Sequence, residues 1–270
     1  MTTLTFLIPV RHPENSRDWS RLKANLAQTV GSIAAQTHSD WRGIIIANEG
    51  ADLPPLPQRF AVEWVQFPPN RLHEKPGKST ADFLDAFRID KGRRVLKGML
   101  SARNSRFFMI VDDDDFVNAR LTQYVADHVD ANGWVVDRGY VWDDGGKILY
   151  RHRHLNQLCG TTLIVRSDLY GLPRDFESAT PEFIMTMLGS HRMIAPLLAE
   201  RGTPLVPLPF PGAIYRVGHS GSHSQTPSIL KTFVFNKHML LRPHRLALNV
   251  LRLRRVGARI RREFFGEVAS

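Results

Sequence analysis

Four consecutive carboxylates, Asp112, Asp113, Asp114 and Asp115, follow directly on the apolar run Phe107-Phe108-Met109-Ile110-Val111. That run has the composition of a buried strand, so the acids are delivered where the strand surfaces. Adjacent carboxylates about 4 Å apart repel by roughly 1 kcal/mol per pair even in water, and by more where they are partly buried. A cluster so placed calls for a compensating cation, and hard divalent ions such as Mg²⁺ or Mn²⁺ suit an all-oxygen donor set. The plain alternative is a solvated acidic turn; the position behind a central-looking strand favours the ion site. A second polar turn, Asn48-Glu49-Gly50, closes the short apolar run Gly43 to Ala47 in the same manner.

The elements that must position these turns are legible as periodicities. Thr3 to Val10 reads as a first strand, stopped by Arg11-His12-Pro13, and Asn15-Ser16 are suited to capping the next helix. Trp19, Leu22, Leu26, Val30 and Ile33 then recur at helical spacing up to about Gln36. Val62 to Phe67 reads as a third strand, and Lys91 to Ala102 as a helix leading into the Phe107 strand. The stretch from Pro68 to Asp90 is loop-like at first and then helical. Strands alternating with helices imply right-handed βαβ units in a mostly parallel sheet, whose ligands bind outside the carboxyl ends of the strands. Both polar turns would face one such crevice. Further on, Leu121 to Val129 reads as an amphipathic helix, and Asp143-Asp144-Gly145-Gly146 as a hairpin turn between Tyr140-Val141-Trp142 and Lys147 to Tyr150. Thr161 to Val165 reads as another strand, with helices near Pro181 to Leu188 and Met193 to Arg201. The expected class is α/β with antiparallel additions.

With 270 residues and 43% apolar content, the chain can close one sizeable core. Cys159, the single cysteine, excludes an internal disulfide framework and fits a reducing compartment. The net charge of +10 is unevenly placed. From Ile229 onward ten bases face two acids, a net of +8, so the first 228 residues carry only about +2. In that tail Leu246, Val250, Leu253, Val256, Ile260 and Phe264 form an apolar stripe at helical spacing, bordered by Arg252, Arg255 and Arg259 on one side and Arg254 and Arg261 on the other. Such a stripe suits an interfacial helix on an anionic membrane surface. A helix docked on the domain with a solvated basic face is the alternative. Aromatic residues do not interleave with the bases, so nucleic acid is not the expected partner. Met1 to Val10 shows no basic leader or small-residue cleavage site, and no apolar stretch approaches the 18 or more residues of a membrane span, so a cytoplasmic location is expected, peripheral at the membrane's inner face through the tail.

Taken in order, these pieces resemble the GT-A nucleotide-sugar glycosyltransferases, especially the large family 2. The resemblance rests on Leu7-Ile8-Pro9-Val10, on Ser32-Ile33-Ala34-Ala35-Gln36, on Trp41 with Ile44 to Ala47 and Asn48-Glu49-Gly50, on Lys91-Gly92, and on Phe107 to Asp115 as strand plus Asp-x-Asp motif. It covers roughly residues 3 to 224, with a nucleotide-sugar-binding half over 1–118, an acceptor-binding half over 119–228 and the basic helical tail over 229–270.

The resemblance implies a metal-dependent transferase, using Mn²⁺ or Mg²⁺, that moves a sugar from a nucleoside diphosphate, UDP in the first instance, to a hydroxyl of a glycan or lipid-linked acceptor. Inversion at the transferred carbon and a role in surface polysaccharide assembly are the corresponding expectations. Asp114 becomes the direct metal ligand, Asp112 lies nearer the ribose or the metal, and Asp113 and Pro9 face the nucleotide. Asn48 and Glu49 would hold the base or ribose, Lys91 belongs to the donor site, and Lys97 stands near the family's nucleotide-facing arginine. His219, with His223 as second choice, would complete the metal site from the loop Tyr215 to Ser224. At the catalytic base the chain departs from the family's acidic pair: His191 is the first candidate and Glu182 the second, with Asp175 and Glu177 behind them. A haloacid-dehalogenase-like phosphatase also uses Asp-x-Asp, but close to its first strand. A protein that merely binds polyanions or nucleic acid is the non-enzymatic alternative.

Overall fold

The structure, a computed structural model, describes residues 1–72, 81–218, 228–234 and 243–266. Strand β1 (Thr2–Pro9) pairs in parallel with β2 (Trp41–Asn48), β2 pairs with β3 (Phe60–Val65), and on its other side β1 pairs with β4 (Ser105–Ile110). β1 is buried on both faces. Leu4, Phe6 and Ile8 gather with Leu22, Leu26, Val30 and Ile33 of helix α1 (Trp19–Ala34), while Leu7 gathers with Val95, Leu96 and Met99 of helix α2 (Ala81–Ser101). Burial from two sides explains why β1, β2 and β4 read as nearly unbroken apolar runs. The cap of α1 is Asp18, whose carboxylate accepts the Arg21 N–H at 2.8 Å, while Asn15 belongs to a short 3-10 turn. Helix α2 is continuous from Ala81, so the helical part of the Pro68 to Asp90 stretch and the expected Lys91 helix are one element. Only part of its first turns is packed, so the apolar stripe is weak there and periodicity does not mark its start.

Beyond the acidic run the chain builds a second sheet and also returns to the first. β5 (Phe116–Val117), helix α3 (Leu121–Ala126), β6 (Gly133–Val135), the hairpin β7 (Gly139–Asp143) and β8 (Ile148–His152), and β9 (Leu163–Arg166) follow in order. β9 runs antiparallel to both β4 and β6, and β10 (Val206–Pro207) closes that edge, giving the order β10-β6-β9-β4-β1-β2-β3. The second sheet has the order β12-β8-β7-β11-β5, with β11 (Ala213–Val217) and β12 (Leu253–Arg255) as its late members. The α/β class, mostly parallel in the central sheet with antiparallel additions, is the one expected. The two expected halves are nonetheless knit together, since β6, β9 and β10 extend the sheet that β1 to β4 begin. Between β9 and β10 lie helix α4 (Pro181–Phe183), which widens into a π turn over Ile184–Leu188, and helix α5 (His191–Glu200).

The basic C-terminal region is not one continuous helix. Helix α6 (Pro243–Val250) and helix α7 (Ala258–Phe264) are separated by β12, which pairs antiparallel with β8. The open edge of β8 offers backbone partners that outweigh the good intrinsic helix preference of Leu253-Arg254-Arg255. The apolar stripe is thereby broken: Phe264 is buried with Phe116, Trp142, Leu149 and Ile214, whereas Val250 is exposed. Among the described residues no helix is long and apolar enough to cross a membrane.

Candidate active site

β1, β2 and β4 end level with one another. The Val10 N–H donates to the Ile46 carbonyl at 2.9 Å and the Val111 N–H to the Leu7 carbonyl at 2.8 Å, so the chain leaves β4 directly into Asp112. A cleft of about 450 Å³ opens there, floored by Pro9, Arg11 and Asp112 to Asp114 and walled by α2 and by the start of α5.

The four acids have separate fates. Asp112 receives the Lys91 ammonium as a short ion pair, and its backbone N–H donates to the Thr161 hydroxyl at 2.9 Å. Burial alone would lower the Lys91 pKa, but the Asp112 carboxylate, together with Asp115 and Cys159, more than offsets this and holds it above its ordinary value. Asp113 stands 3.9 Å from the Arg11 guanidinium, and Asp114 lines the cleft beside it. Asp115 points the other way, fully buried, accepting from the Thr161 hydroxyl at 2.6 Å, the Cys159 thiol at 3.0 Å and the Arg216 N–H at 3.2 Å. Burial, then Asp114 and Asp112, push the Asp115 carboxyl well above the usual carboxylate range. Behind it the buried Arg216 guanidinium donates to Asn25 and, at 2.6 Å, to Gln28 of α1, and stacks 4.6 Å from the Phe116 ring. Burial lowers the Arg216 pKa to about 10 against the pull of Asp114 and Asp115. The acidic run is thus flanked by cations of the chain itself.

Helix α2 grades the cleft from apolar to charged. Phe83, Leu84 and Phe87 line it at the helix's start, Lys91 one turn later, and Arg94 one turn after that. The spacings 83, 87, 91 and 94 fall on one helical face. Because α2 runs back against the strands, its first turns stand above the strand ends and its later turns descend beside the sheet. Gly92 makes this placement possible: a Cβ there would lie 2.6 Å from the Ile184 carbonyl oxygen, and one on Gly189 would lie 2.4 Å from that of Arg88. Backbone therefore meets backbone between α2 and the π turn, which brings His191 opposite Lys91. Gly160 completes the corner, since a side chain on it would collide with the Lys91–Asp112 pair.

Of the residues singled out from sequence, Pro9, Lys91, Asp112, Asp113, Asp114 and His191 line this cleft. Asn48 does not, yet it serves the site: its side-chain carbonyl accepts from Arg94 at 2.7 Å while its amide donates to the Phe67 carbonyl at 2.7 Å. Glu49 is exposed and bonded by Gln66 at 2.7 Å. Lys97 is displaced from the cleft; two turns below Lys91, its ammonium sits 4.6 Å from the Phe176 ring. The buried arginine that sequence reasoning missed is Arg94, held by Asn48 and by Asp90 and reaching the cleft one turn from Lys91. The three-residue step from Lys91 was its available signal. Glu182 is exposed in the first turn of α4, away from the cleft lining. His219 and His223 lie outside the described residues.

His191 has a ring Nε2 that is buried without a partner, while the Asn156 carbonyl accepts from the ring. Burial first, then the positive charge of Lys91, lower its pKa to about 4, so the imidazole is neutral near pH 7. For a divalent cation the cleft floor offers the carboxylates of Asp112, Asp113 and Asp114, hard oxygens that suit Mg²⁺ or Mn²⁺ in kind. Among the described residues no group of three or more His, Cys, Asp or Glu side chains converges as a ready-made cation site. The hard-oxygen chemistry of these carboxylates is what fits a cation at the cleft floor.

No protein-family model matches the chain, and no curated protein does either. Among solved structures the chain is similar to Staphylococcus aureus TarS, at 12% identity and a TM-score of 0.40, over 80% of this chain. It spans 37% of that longer chain. It is also similar to a Desulfovibrio desulfuricans G20 protein described as a candidate nucleotide-diphospho-sugar transferase, at 13% identity and a TM-score of 0.35, over 93% of this chain and 98% of that one.

Proposed function

We propose that the chain is a glycosyltransferase that takes a sugar from a nucleoside diphosphate, UDP in the first instance, and passes it with inversion to a hydroxyl of a glycan or lipid-linked acceptor. The observation that carries this reading is the meeting of Asp112 to Asp114 with Lys91 and Arg94 over the level ends of parallel strands. Cationic side chains beside carboxylates suit a ligand that is itself anionic and arrives with a cation. Mn²⁺ or Mg²⁺ would be held by Asp112 and Asp114, with His219 as the further expected ligand, and would supply Lewis-acid neutralisation of the leaving diphosphate.

The chain's own residues have defined tasks in this scheme. Lys91 exchanges its Asp112 partner for a phosphate oxygen and stabilises charge that grows as the sugar–oxygen bond breaks. Arg94, immobilised by Asn48 and Asp90, fixes the nucleotide in register. The acceptor oxygen forms its bond to the sugar carbon as the diphosphate departs, and its proton passes to the neutral His191 imidazole. A diphosphate that takes up the Lys91 charge removes one of the three causes of the low His191 pKa, beside burial and Arg192, and so strengthens the base. The acceptor approaches over Phe83, Leu84, Phe87 and Leu158, the apolar half of the cleft.

Calorimetric titration of UDP, GDP, CDP and UDP-sugars, each with and without Mn²⁺, tests the reading on wild type and Asp114→Ala. Metal-dependent binding of one nucleotide, lost in the variant, is the expected result. Absence of binding by every nucleotide overturns it.

A further inference from the structure

Helix α6 is mounted with its polar side inward. Its buried contact is Asn249, whose side-chain oxygen accepts from the Tyr150 hydroxyl at 2.8 Å and whose amide donates to the Phe233 carbonyl at 2.7 Å. The Leu251 N–H donates to the Ala247 carbonyl at 3.0 Å, so the helical turn runs on past Val250. Ala247, Leu248 and Leu251 therefore share one face, and that face is exposed, Leu248 to 55% and Leu251 to 68%, with Val250 beside it at 48%. A helix that serves only the core buries its leucines and exposes its amides; this one buries Asn249 and leaves Leu248 and Leu251 in solvent, with Leu246 half-buried.

The chain around the patch is strongly basic. The Arg254 guanidinium donates to the carbonyls of Leu251, at 2.6 Å, and Leu253, at 2.7 Å, and so lies against the patch. Arg255 is exposed opposite Ile148, itself 40% exposed, across the β12–β8 ladder. Arg259, Arg261 and Arg262 of α7 are exposed as well, with Glu263 the only acid from 243 to 266. Aliphatic side chains that project among arginines match a bilayer interface, where leucines enter the acyl boundary while guanidinium groups reach anionic headgroups. A nucleic acid offers phosphates but nothing for Leu248 and Leu251 to enter.

We infer that the face formed by Leu248, Val250 and Leu251 with Arg254 and Arg255 docks the protein on an anionic phospholipid surface. This inference stands apart from the proposed transfer reaction, since it uses no residue of the cleft.

Flotation of the full chain with phosphatidylglycerol-containing vesicles, neutral phosphatidylcholine vesicles and no vesicles tests it, with heparin binding as a parallel arm. The expected result is partition to the anionic vesicles alone. The pair Leu248→Ser and Leu251→Ser lowers that partition by about tenfold or more while leaving melting and heparin binding unchanged. Arg255→Glu weakens vesicle and heparin binding together, by about fivefold near physiological salt. Equal partition to neutral vesicles, or none to either, overturns the inference. Undiminished vesicle binding by the leucine pair also overturns it, leaving a plain polyanion contact. A self-association in solution that the leucine pair abolishes, without vesicle binding, assigns the face to a second copy of the chain instead.

Discussion

The cleft floor and the C-terminal region each concentrate one sign of charge, and the fold treats them in opposite ways. At the floor, Asp112, Asp113 and Asp115 are met by Lys91, by Arg11 and by three inward donors, so the charge is held in place by partners from distant parts of the chain. In the C-terminal region Arg254, Arg255, Arg259, Arg261 and Arg262 are exposed, and the contacts that hold the segment are made by Phe264, Asn249, Arg252 and the β12 ladder. A charge count therefore says little about what a charged segment does; where the backbone leaves the sheet says more. Paired and partly buried charge is suited to a small anionic ligand, because low dielectric sharpens each interaction. Solvated charge acts only on large surfaces, where many weak contacts add.

The comparison can be broken or sharpened by five changes. Phe264→Ala has the largest expected effect on stability: it removes a buried aromatic that joins α7 to the second sheet, at a cost of about 4 kcal/mol in denaturant unfolding. A loss near zero would show the C-terminal region to be an independent appendage. Asp114→Ala should lower kcat/KM by about 10²–10³-fold with little change in melting, whereas Asp115→Ala should chiefly lower stability, because three donors lose their acceptor. Equal effects of the two on activity would erase the division of the acidic run.

The third change is acidification. The folded His191 pKa of about 4 lies below the ordinary 6.5, so the unfolded imidazole takes up a proton first. Its contribution is present above pH 6.5 and is lost as pH falls toward 4, by up to about 3 kcal/mol. Melting of wild type against His191→Gln between about pH 7 and pH 4 isolates this slope; parallel curves would refute the burial of the ring. Gly92→Ala comes next, with a loss of about 1–3 kcal/mol and a weaker nucleotide affinity, since the π turn must move away from α2. Smallest is Leu251→Ser, within about 0.5 kcal/mol in a melt, because the side chain is already in solvent. A large loss would mean the leucine is covered.

Periodicity reached its targets where a strand is buried from both sides or a helix packs along its whole length. β1, β2, β4 and α1 were legible for that reason, and with them the level strand ends that bring Asp112 to the cleft. It was weaker where an element is packed in part: the first half of α2 was read as helical but without a defined start, and the C-terminal stripe was read as one helix. Lys97 was singled out and Arg94 missed because the depth of a helix beside a sheet is invisible in a one-dimensional spacing.

The sequence by itself determined the α/β class, the parallel core and the delivery of an acidic turn at a strand end, because these follow from local side-chain periods and from backbone chirality. The tertiary structure alone decided which of four adjacent carboxylates turns inward, which lysine pairs with Asp112, and which leucines of the C-terminal region face water. Those outcomes depend on partners dozens of residues away, such as Thr161 for Asp115 and Tyr150 for Asn249, and no local preference encodes such a pairing.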